Sequence, residues 1–163
     1  MHTLKIVGIP GVGKTMLIMK LLKRWPYLSY LSYGEYLKLY GPKNVDAACR
    51  IFLSEQQGLV LMDEHLEIGD RDLIDSYREE NTCGIFLLEV SPQHLVKRRI
   101  CDTTRQRDTN EQKIITDHHK SKERAFYLAH ALNIPIHSVM DASLDESIRI
   151  LEEFISRVWG NLI

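Results

Sequence analysis

Residues 8–15 of the chain read Gly8-Ile9-Pro10-Gly11-Val12-Gly13-Lys14-Thr15 and fit the pattern G-x-x-x-x-G-K-[ST]. The run before them, Leu4-Lys5-Ile6-Val7, is short and mostly apolar, as in a buried strand, and residues 16–22 are typical of a helix. In this strand–loop–helix setting the pattern forms a phosphate-binding loop, whereas the alternative is an ordinary glycine-rich turn ahead of a helix. The sequence therefore predicts a site for nucleotide phosphates at residues 8–16.

The residue types of this loop suit an anion. Glycines let the backbone fold closely around a phosphate because they carry no Cβ, and the amides at the following helix start add positive potential. We expect Lys14 to reach the β- and γ-phosphates of ATP and the Thr15 hydroxyl to ligate Mg²⁺. The predicted phosphate contacts all come from the loop and the first turn of the helix: Gly8, Gly11, Val12, Gly13, Lys14, Thr15 and Met16.

Length and composition predict one domain with nearly equal numbers of basic and acidic residues. The chain has 163 residues, enough for a real core, and its 21 basic and 22 acidic residues give a net charge of -1. This balance does not favour nucleic acid or a membrane surface, and no apolar run approaches the ~20 residues of a membrane span. Cys49, Cys83 and Cys101 lack C-x-x-C spacing, so we expect a cytoplasmic protein in which each is a small core or partly buried residue.

Strand and helix patterns alternate along the whole chain. This alternation predicts a three-layer α/β fold, in which a five-stranded parallel sheet carries helices on both faces. In the helix that opens at Ser91-Pro92 we expect Ile100 to face inward and Arg98 and Arg99 to lie on other faces. Strands are expected near residues 3–8, 27–31, 59–63, 83–90 and 134–139, and the other helices near 14–24, 33–40, 44–57, 70–81, 111–133 and 145–159; Ile115 and Phe126 of the long helix are expected inside.

An acidic residue ends the apolar run of residues 59–62. A run of this kind fits a strand buried on both faces of a parallel sheet, and its carboxyl end lies where such sheets bind ligands. We expect Asp63 to hold Mg²⁺ together with Thr15, the alternative being a helix cap or a loop acid. Glu64 is a candidate base for activating water, or a solvated loop acid. His65 is a candidate for positioning water or phosphate, or a packing or hydrogen-bonding histidine.

A polar, arginine-bearing segment at residues 102–110 is the second chemical feature. It has almost no apolar residue and cannot be core. Phosphoryl transfer requires positive charge over the transferring group, and a flap that carries Arg105 and Arg107 would supply this charge on closing. The alternative is a solvated charged loop. Binding of nucleic acid is not expected here because Asp102 and Asp108 interrupt the basic run and no aromatic side chain lies within it.

The run Arg98-Arg99-Ile100-Cys101-Asp102-Thr103-Thr104-Arg105-Gln106-Arg107-Asp108 resembles the lid of the archaeal adenylate kinases, which have R-R-x-x-D-x-T-R-x-R-D there. Residues 8–15 are similar to the phosphate loop of that family, and Asp63-Glu64-His65 stands where the family has D-T-H. His118 and Arg124-Ala125 fall at its E-H-Q and N-R-A positions. The resemblance spans about residues 3–68 and 84–160. The smaller adenylate kinase/ATPase branch, which has D-Y-H, is a second match.

This resemblance implies an adenylate-kinase-like P-loop NTPase fold with a shortened monophosphate-binding insert at residues 32–58 and a lid at 102–112. It implies ATP and Mg²⁺ as ligands, nucleotides as substrates, and transfer of a phosphoryl group from ATP to a nucleoside monophosphate, by default AMP, to give ADP. The catalytic residues that it implies are Lys14, Arg105, Arg107 and Arg124. By fold analogy, adenine is expected near residues 140–143.

The acceptor side departs from the family pattern. Residues 32–58 contain a single arginine, Arg50, although an acceptor phosphate attracts arginines. The stretch after His65 is acidic rather than rich in Gly and Pro. Arg71 and Arg78 are candidate substitutes or plain surface charges. Two further functions therefore stay open: an ATPase with water as acceptor, and a nucleotide-binding module that regulates a partner.

Overall fold

A computed structural model describes residues 1–66, 73–104 and 106–160. Within these ranges, strands and helices alternate from the first residues to the last. The strands are β1 (His2–Val7), β2 (Ser29–Leu31), β3 (Leu59–Glu64), β4 (Thr82–Glu89) and β5 (Ile136–Met140). The helices are α1 (Lys14–Arg24), α2 (Tyr33–Tyr40), α3 (Val45–Ser54), α4 (Ile74–Glu79), α5 (Pro92–Cys101), α6 (Glu111–Leu132) and α7 (Leu144–Gly160).

All five strands pair in parallel in the order β2-β3-β1-β4-β5. Helices α1 and α7 pack on one face of the sheet, and α3, α4 and α6 pack on the other. The three-layer α/β prediction is therefore confirmed, with β5 at an edge. The loop of residues 8–13 follows the central strand β1 at the carboxyl edge of the sheet, where open parallel sheets bind ligands. Among the described residues, no helix combines the length and the apolarity needed to cross a membrane.

Several predicted helix ends and strand ends are shifted. Helix α2 begins as expected, since the Ser32 Oγ accepts a hydrogen bond from the Glu35 amide at 3.3 Å. The Asn44 side chain does not cap α3, because its Nδ2 donates to the Tyr40 carbonyl at 3.4 Å, and α3 ends at Ser54 rather than at residue 57. Strand β2 begins at Ser29, and the predicted start of the fourth helix, residues 70–72, lies outside the described residues.

Four inward-facing predictions are wrong. Ile100 is 66% exposed on α5, whereas Arg99 is buried, because Arg99 follows Leu95 by one helical repeat and shares its face. Cys101 is exposed next to Ile100 at the same helix end. On α6 the buried stripe includes Ile114, Ala125 and Leu128, whereas the neighbouring residues Ile115 and Phe126 are exposed.

A lysine in the middle of β1 is completely buried. The Lys5 Nζ lies 3.3 Å from Glu64 Oε1, contacts the Glu80 carboxylate, and sits 4.6 Å from the centre of the Tyr77 ring. The Tyr77 hydroxyl donates to the other Glu64 oxygen, and burial, together with the charge of Glu64, raises the pKa of Tyr77 well above its ordinary value. Since a buried charge is tolerated only when it is compensated, Lys5 and these carboxylates form one unit. Glu64 is therefore not a solvated loop acid.

The substitution Lys5→Met tests this compensation. We expect it to lower the free energy of unfolding by about 3 kcal/mol, since it leaves two carboxylates beside an apolar core without their cation. Urea unfolding followed by circular dichroism measures the change, and Lys23→Met, at an exposed position of α1, is the matched control. Equal unfolding midpoints for the two variants would contradict the assignment.

Candidate nucleotide-binding site

The loop between β1 and α1 has the backbone of a phosphate cradle. Gly11 and Gly13 have φ angles of +95° and +99°, which residues with a Cβ rarely adopt. Gly8 is needed for a different reason, because a Cβ there would lie 2.6 Å from Val12 Cγ2 and 2.9 Å from the Leu88 carbonyl oxygen. Helix α1 starts directly after the loop at Lys14. An anion in the loop therefore meets a helix N-terminus and its dipole.

The predicted phosphate-binding lysine lies inside this loop. The Lys14 side chain is only 5% exposed. Its ammonium donates to the carbonyl oxygens of Gly8 and of Ile9 (3.3 Å) and lies 3.0 Å from His65 Nδ1. His65 Nδ1 is also 3.3 Å from the Gly8 oxygen. His65 thus forms hydrogen bonds at the phosphate loop and is not packed in the core, and its role in positioning phosphate or water stays a prediction.

The predicted metal ligands line a common cleft. Thr15 and Asp63 both border a cavity of about 860 Å³ at the carboxyl edge of the sheet. Mg²⁺ usually needs only one or two protein carboxylates because substrate phosphates and waters complete its octahedron. One carboxylate and one hydroxyl fit that requirement. The described residues contain no cluster of three or more His, Cys, Asp or Glu side chains suited to a metal, and a Mg²⁺ ion held by Thr15 and Asp63 would take its remaining ligands from phosphates and water.

A tyrosine that the sequence analysis missed holds Asp63. The Tyr30 hydroxyl donates to Asp63 Oδ1 at 3.0 Å. Burial, with a contribution from the Asp63 charge, raises the pKa of Tyr30 to about 12, so the hydroxyl is a neutral donor at neutral pH. Tyr30 pairs with Leu61 in the register of β2 and β3. Only that register brings it to the same sheet edge as Asp63.

Three further segments complete the cleft. One belongs to the start of α2, one to α5 and the lid, and one to the connection between β5 and α7. The last of these segments overlaps the region where adenine was expected. The lining residues outside the phosphate loop and the sheet are Ser32, Gly34, Glu35 and Lys38; Arg98, Asp102, Thr104 and Arg107; and Ala142, Leu144 and Ser147.

The three predicted catalytic arginines have different positions. Arg107 borders the cleft, and its Nη1 forms a 2.8 Å ion pair with Asp102 within the lid. Arg105 lies outside the described residues. The Arg124 Nη1 donates to the Leu66 carbonyl at 3.3 Å where the chain leaves β3, and Arg124 is not among the described residues that line the cleft. Lys14 and Arg107 therefore line the same cleft, whereas Arg124 contacts the chain segment at Leu66.

Among the described residues, Glu64, Arg50 and Arg78 do not border the cleft. Alternate residues of a strand face opposite sides of the sheet, so Asp63 faces the phosphate loop while Glu64 faces Lys5 and Tyr77. Glu64 thus lies away from a water at the phosphates. Arg50 is exposed on α3, and Arg78 lies 3.9 Å from Asp75 on α4, which is ordinary surface charge as expected. Arg71 lies outside the described residues.

Two arginines of α5 donate hydrogen bonds to carbonyl groups of the phosphate loop. Arg98 Nη1 donates to the Val12 carbonyl at 3.1 Å. Arg99, which is 7% exposed, donates from Nη2 to the Pro10 carbonyl at 2.7 Å and from Nη1 to the Asp108 carbonyl at 2.6 Å. The prediction that both lie on other faces of the helix is wrong for Arg99. The only signal in the sequence was its spacing of one helical repeat from Leu95.

His118, singled out by the resemblance, anchors the helix that follows the lid. Its Nε2 lies 3.0 Å from Glu89 Oε1, and the Lys122 ammonium lies 3.0 Å from the same oxygen. Glu89 is buried at the end of β4. This pair of contacts fixes α6 to the carboxyl edge of the sheet, beside the phosphate loop.

Comparison with known proteins identifies the fold. No protein-family model matches the chain, and no curated protein matches its sequence. Among solved structures, a shikimate kinase from Bacteroides thetaiotaomicron superposes with a TM-score of 0.61 at 16% identity, over 94% of this chain and 98% of that chain. A deoxyadenosine kinase from M. mycoides, solved with the products dCMP and a flexible dCDP bound, gives a TM-score of 0.57 at 16% identity, over 97% of this chain and 100% of that chain. The chain has the α/β fold of the P-loop kinases of small molecules.

The substitution Tyr30→Phe tests the support of Asp63. We expect the variant to require a several-fold higher Mg²⁺ concentration for half-maximal binding of an ATP analogue, since one carboxylate oxygen loses the donor that orients it and such supporting groups typically change metal affinity by about tenfold or more. Isothermal titration at a series of Mg²⁺ concentrations gives this value. Tyr27→Phe, at an exposed position in the same connection, is the control, and an unchanged Mg²⁺ requirement would refute the role.

Proposed function

We propose that the protein transfers the γ-phosphoryl group of ATP to a small-molecule acceptor. The observation that carries this proposal is that four side chains line one cleft at the end of the phosphate loop. They are Lys14, which is buried, and Thr15, Asp63 and Arg107. The fold adds support, because the two similar structures are named as kinases of small molecules. The resemblance of residues 98–108 to an adenylate kinase lid points in the same direction.

The proposed roles follow from the charge of each group. The loop amides and Lys14 hold the β- and γ-phosphates, and Thr15 with Asp63 holds Mg²⁺, which neutralises phosphate charge when bound. Arg107 stands at the lid side of the cleft and, with Arg105, supplies positive charge over the transferring group. Positioning and charge perform most of the catalysis in such a reaction. An acceptor that is already an anionic phosphate requires no general base.

For the acceptor we propose a nucleoside monophosphate, with AMP as the first candidate and ADP as the product. The resemblance of residues 98–108 to an adenylate kinase lid supports this choice. On the described acceptor side of the cleft the cation is Lys38, which lies 3.4 Å from Glu35. Lys38 is therefore the proposed contact for the acceptor phosphate at the start of α2.

A second candidate function is hydrolysis of ATP with water as the acceptor. The contact of His65 with Lys14 favours it, because a histidine next to the phosphate site is able to orient a water molecule. A nucleotide-binding module without turnover is the third possibility, and the short segment of residues 32–58 is the feature that favours it.

ATP turnover distinguishes these functions. Formation of ADP from Mg·ATP is measured with and without each nucleoside monophosphate, beside the variants Lys14→Ala, His65→Gln and Lys38→Met. For the proposed kinase we expect ADP only with a monophosphate present, a loss of more than about 100-fold in Lys14→Ala, and a raised KM for the monophosphate in Lys38→Met.

The alternatives have different signatures in this assay. Turnover that ignores monophosphates and falls in His65→Gln indicates an ATPase. Binding of ATP without any product above the Lys14→Ala background refutes both enzymatic functions and leaves the regulatory module. An exposed lysine of α5, Lys97, provides the neutral control as Lys97→Met.

A further inference from the structure

One buried guanidinium connects two segments of the site that are far apart in the sequence. Arg99 donates to the carbonyl of Pro10 in the phosphate loop and to the carbonyl of Asp108, where the chain leaves the lid. The fork of an arginine presents donors in fixed, different directions. Because the side chain is 7% exposed, both hydrogen bonds lie in an environment of low solvent access, where charge-assisted bonds are strong.

Both carbonyls that Arg99 holds are themselves parts of fixed structure. Asp108 Oδ1 accepts from the Asn110 amide at 2.8 Å and its Oδ2 lies 3.3 Å from the Lys113 ammonium, so the Asp108 peptide is tied to the first turn of α6. On the other side, Leu95 and the Arg99 stem pack closely behind Gly11, where an added Cβ would lie 3.1 Å from Leu95 Cδ1 and 3.6 Å from Arg99 Cγ. Displacement at one end of this contact therefore displaces the other.

We propose that Arg99 is a positioning residue that couples the phosphate loop to the base of the lid, residues 106–110, so that a triphosphate bound in the loop also orders the base of the lid. The inference deepens the proposed function and depends on it for the nucleotide. Arg98, by contrast, reaches only the loop carbonyl of Val12 in the hydrogen bonds of the described residues. Arg99 contacts both segments and is the residue through which the γ-phosphate end of the cleft and the base of the lid communicate.

The binding test compares ADP with a non-hydrolysable ATP analogue by titration calorimetry in Mg²⁺. In Arg99→Met we expect the affinity for the analogue to fall by about tenfold more than the affinity for ADP, since only the analogue carries the phosphate that the lid senses. Lys97→Met, on the exposed side of the same helix, should leave both affinities unchanged. Equal losses for ADP and the analogue would show that Arg99 merely supports the loop, and this result would overturn the proposal.

Amide hydrogen exchange provides a second measurement that needs no turnover. In the wild-type protein we expect the analogue to slow exchange in both residues 9–14 and residues 106–110, whereas in Arg99→Met it should slow exchange in residues 9–14 only. Without nucleotide, Arg99→Met should already speed exchange in 106–110, so the coupling is measurable even if the proposed kinase activity is absent. Unchanged exchange there would refute the coupling.

The conservative variant Arg99→Lys distinguishes loss of the coupling from a folding defect. Arg99→Lys keeps the charge and most of the aliphatic stem, but its ammonium lacks the planar fork that reaches the two carbonyls. We expect Arg99→Lys to melt close to the wild-type temperature and still to lose the preference for the analogue over ADP. A folded Arg99→Lys protein with the full preference would contradict the assignment.

Discussion

A backbone that turns its amides toward an anion must turn its carbonyl groups the other way, and those carbonyls need donors of their own. In this chain, four carbonyl groups of the phosphate loop, those of residues 8, 9, 10 and 12, accept hydrogen bonds from cationic side chains. Lys14 donates to Gly8 and Ile9, Arg99 donates to Pro10, and Arg98 donates to Val12. The shape of the phosphate loop thus depends on three positively charged side chains that hold its carbonyl groups. These charges also add to the potential that an anion meets in the loop.

The sheet below the loop explains why this arrangement is rigid. The Gly8 amide donates to the Glu64 carbonyl at 3.1 Å, and its Cα lies close against the backbone of Leu88. The loop is therefore pinned between β3 and β4, the two neighbours of β1. Asp63 lies near the end of β3 and His65 comes directly after that strand, and Glu89 follows Leu88 on β4. The chemical groups of the site are fixed by the same strand pairings that hold the loop.

Local patterns predicted the elements and the phosphate loop, since each depends on neighbouring residues, such as the loop glycines and the acid after the apolar run of β3. Residues whose roles depend on distant partners were missed. Tyr30 contacts a carboxylate 33 residues away, a separation that follows from the register of β2 with β3. Arg99 and Ile100 were interchanged because a charged side chain is normally assigned to the surface. Only the tertiary structure shows that the Arg99 guanidinium donates to two backbone carbonyl groups.

The two neighbouring acids at the end of β3 differ chemically because alternate residues of a strand face opposite sides of the sheet. Glu64, on one face, has a permanent counter-ion in Lys5, supplied by the chain itself and sealed beneath α4. Asp63, on the other face, accepts a hydrogen bond from the neutral hydroxyl of Tyr30, and in the proposed function its charge holds a cation that arrives and departs with the nucleotide. A slip of one residue in the β1–β3 register would exchange the two faces. The resident ion pair and the exchangeable ion site would then trade places, so strand register here determines which of two adjacent acids is part of the scaffold and which is open to solvent ions.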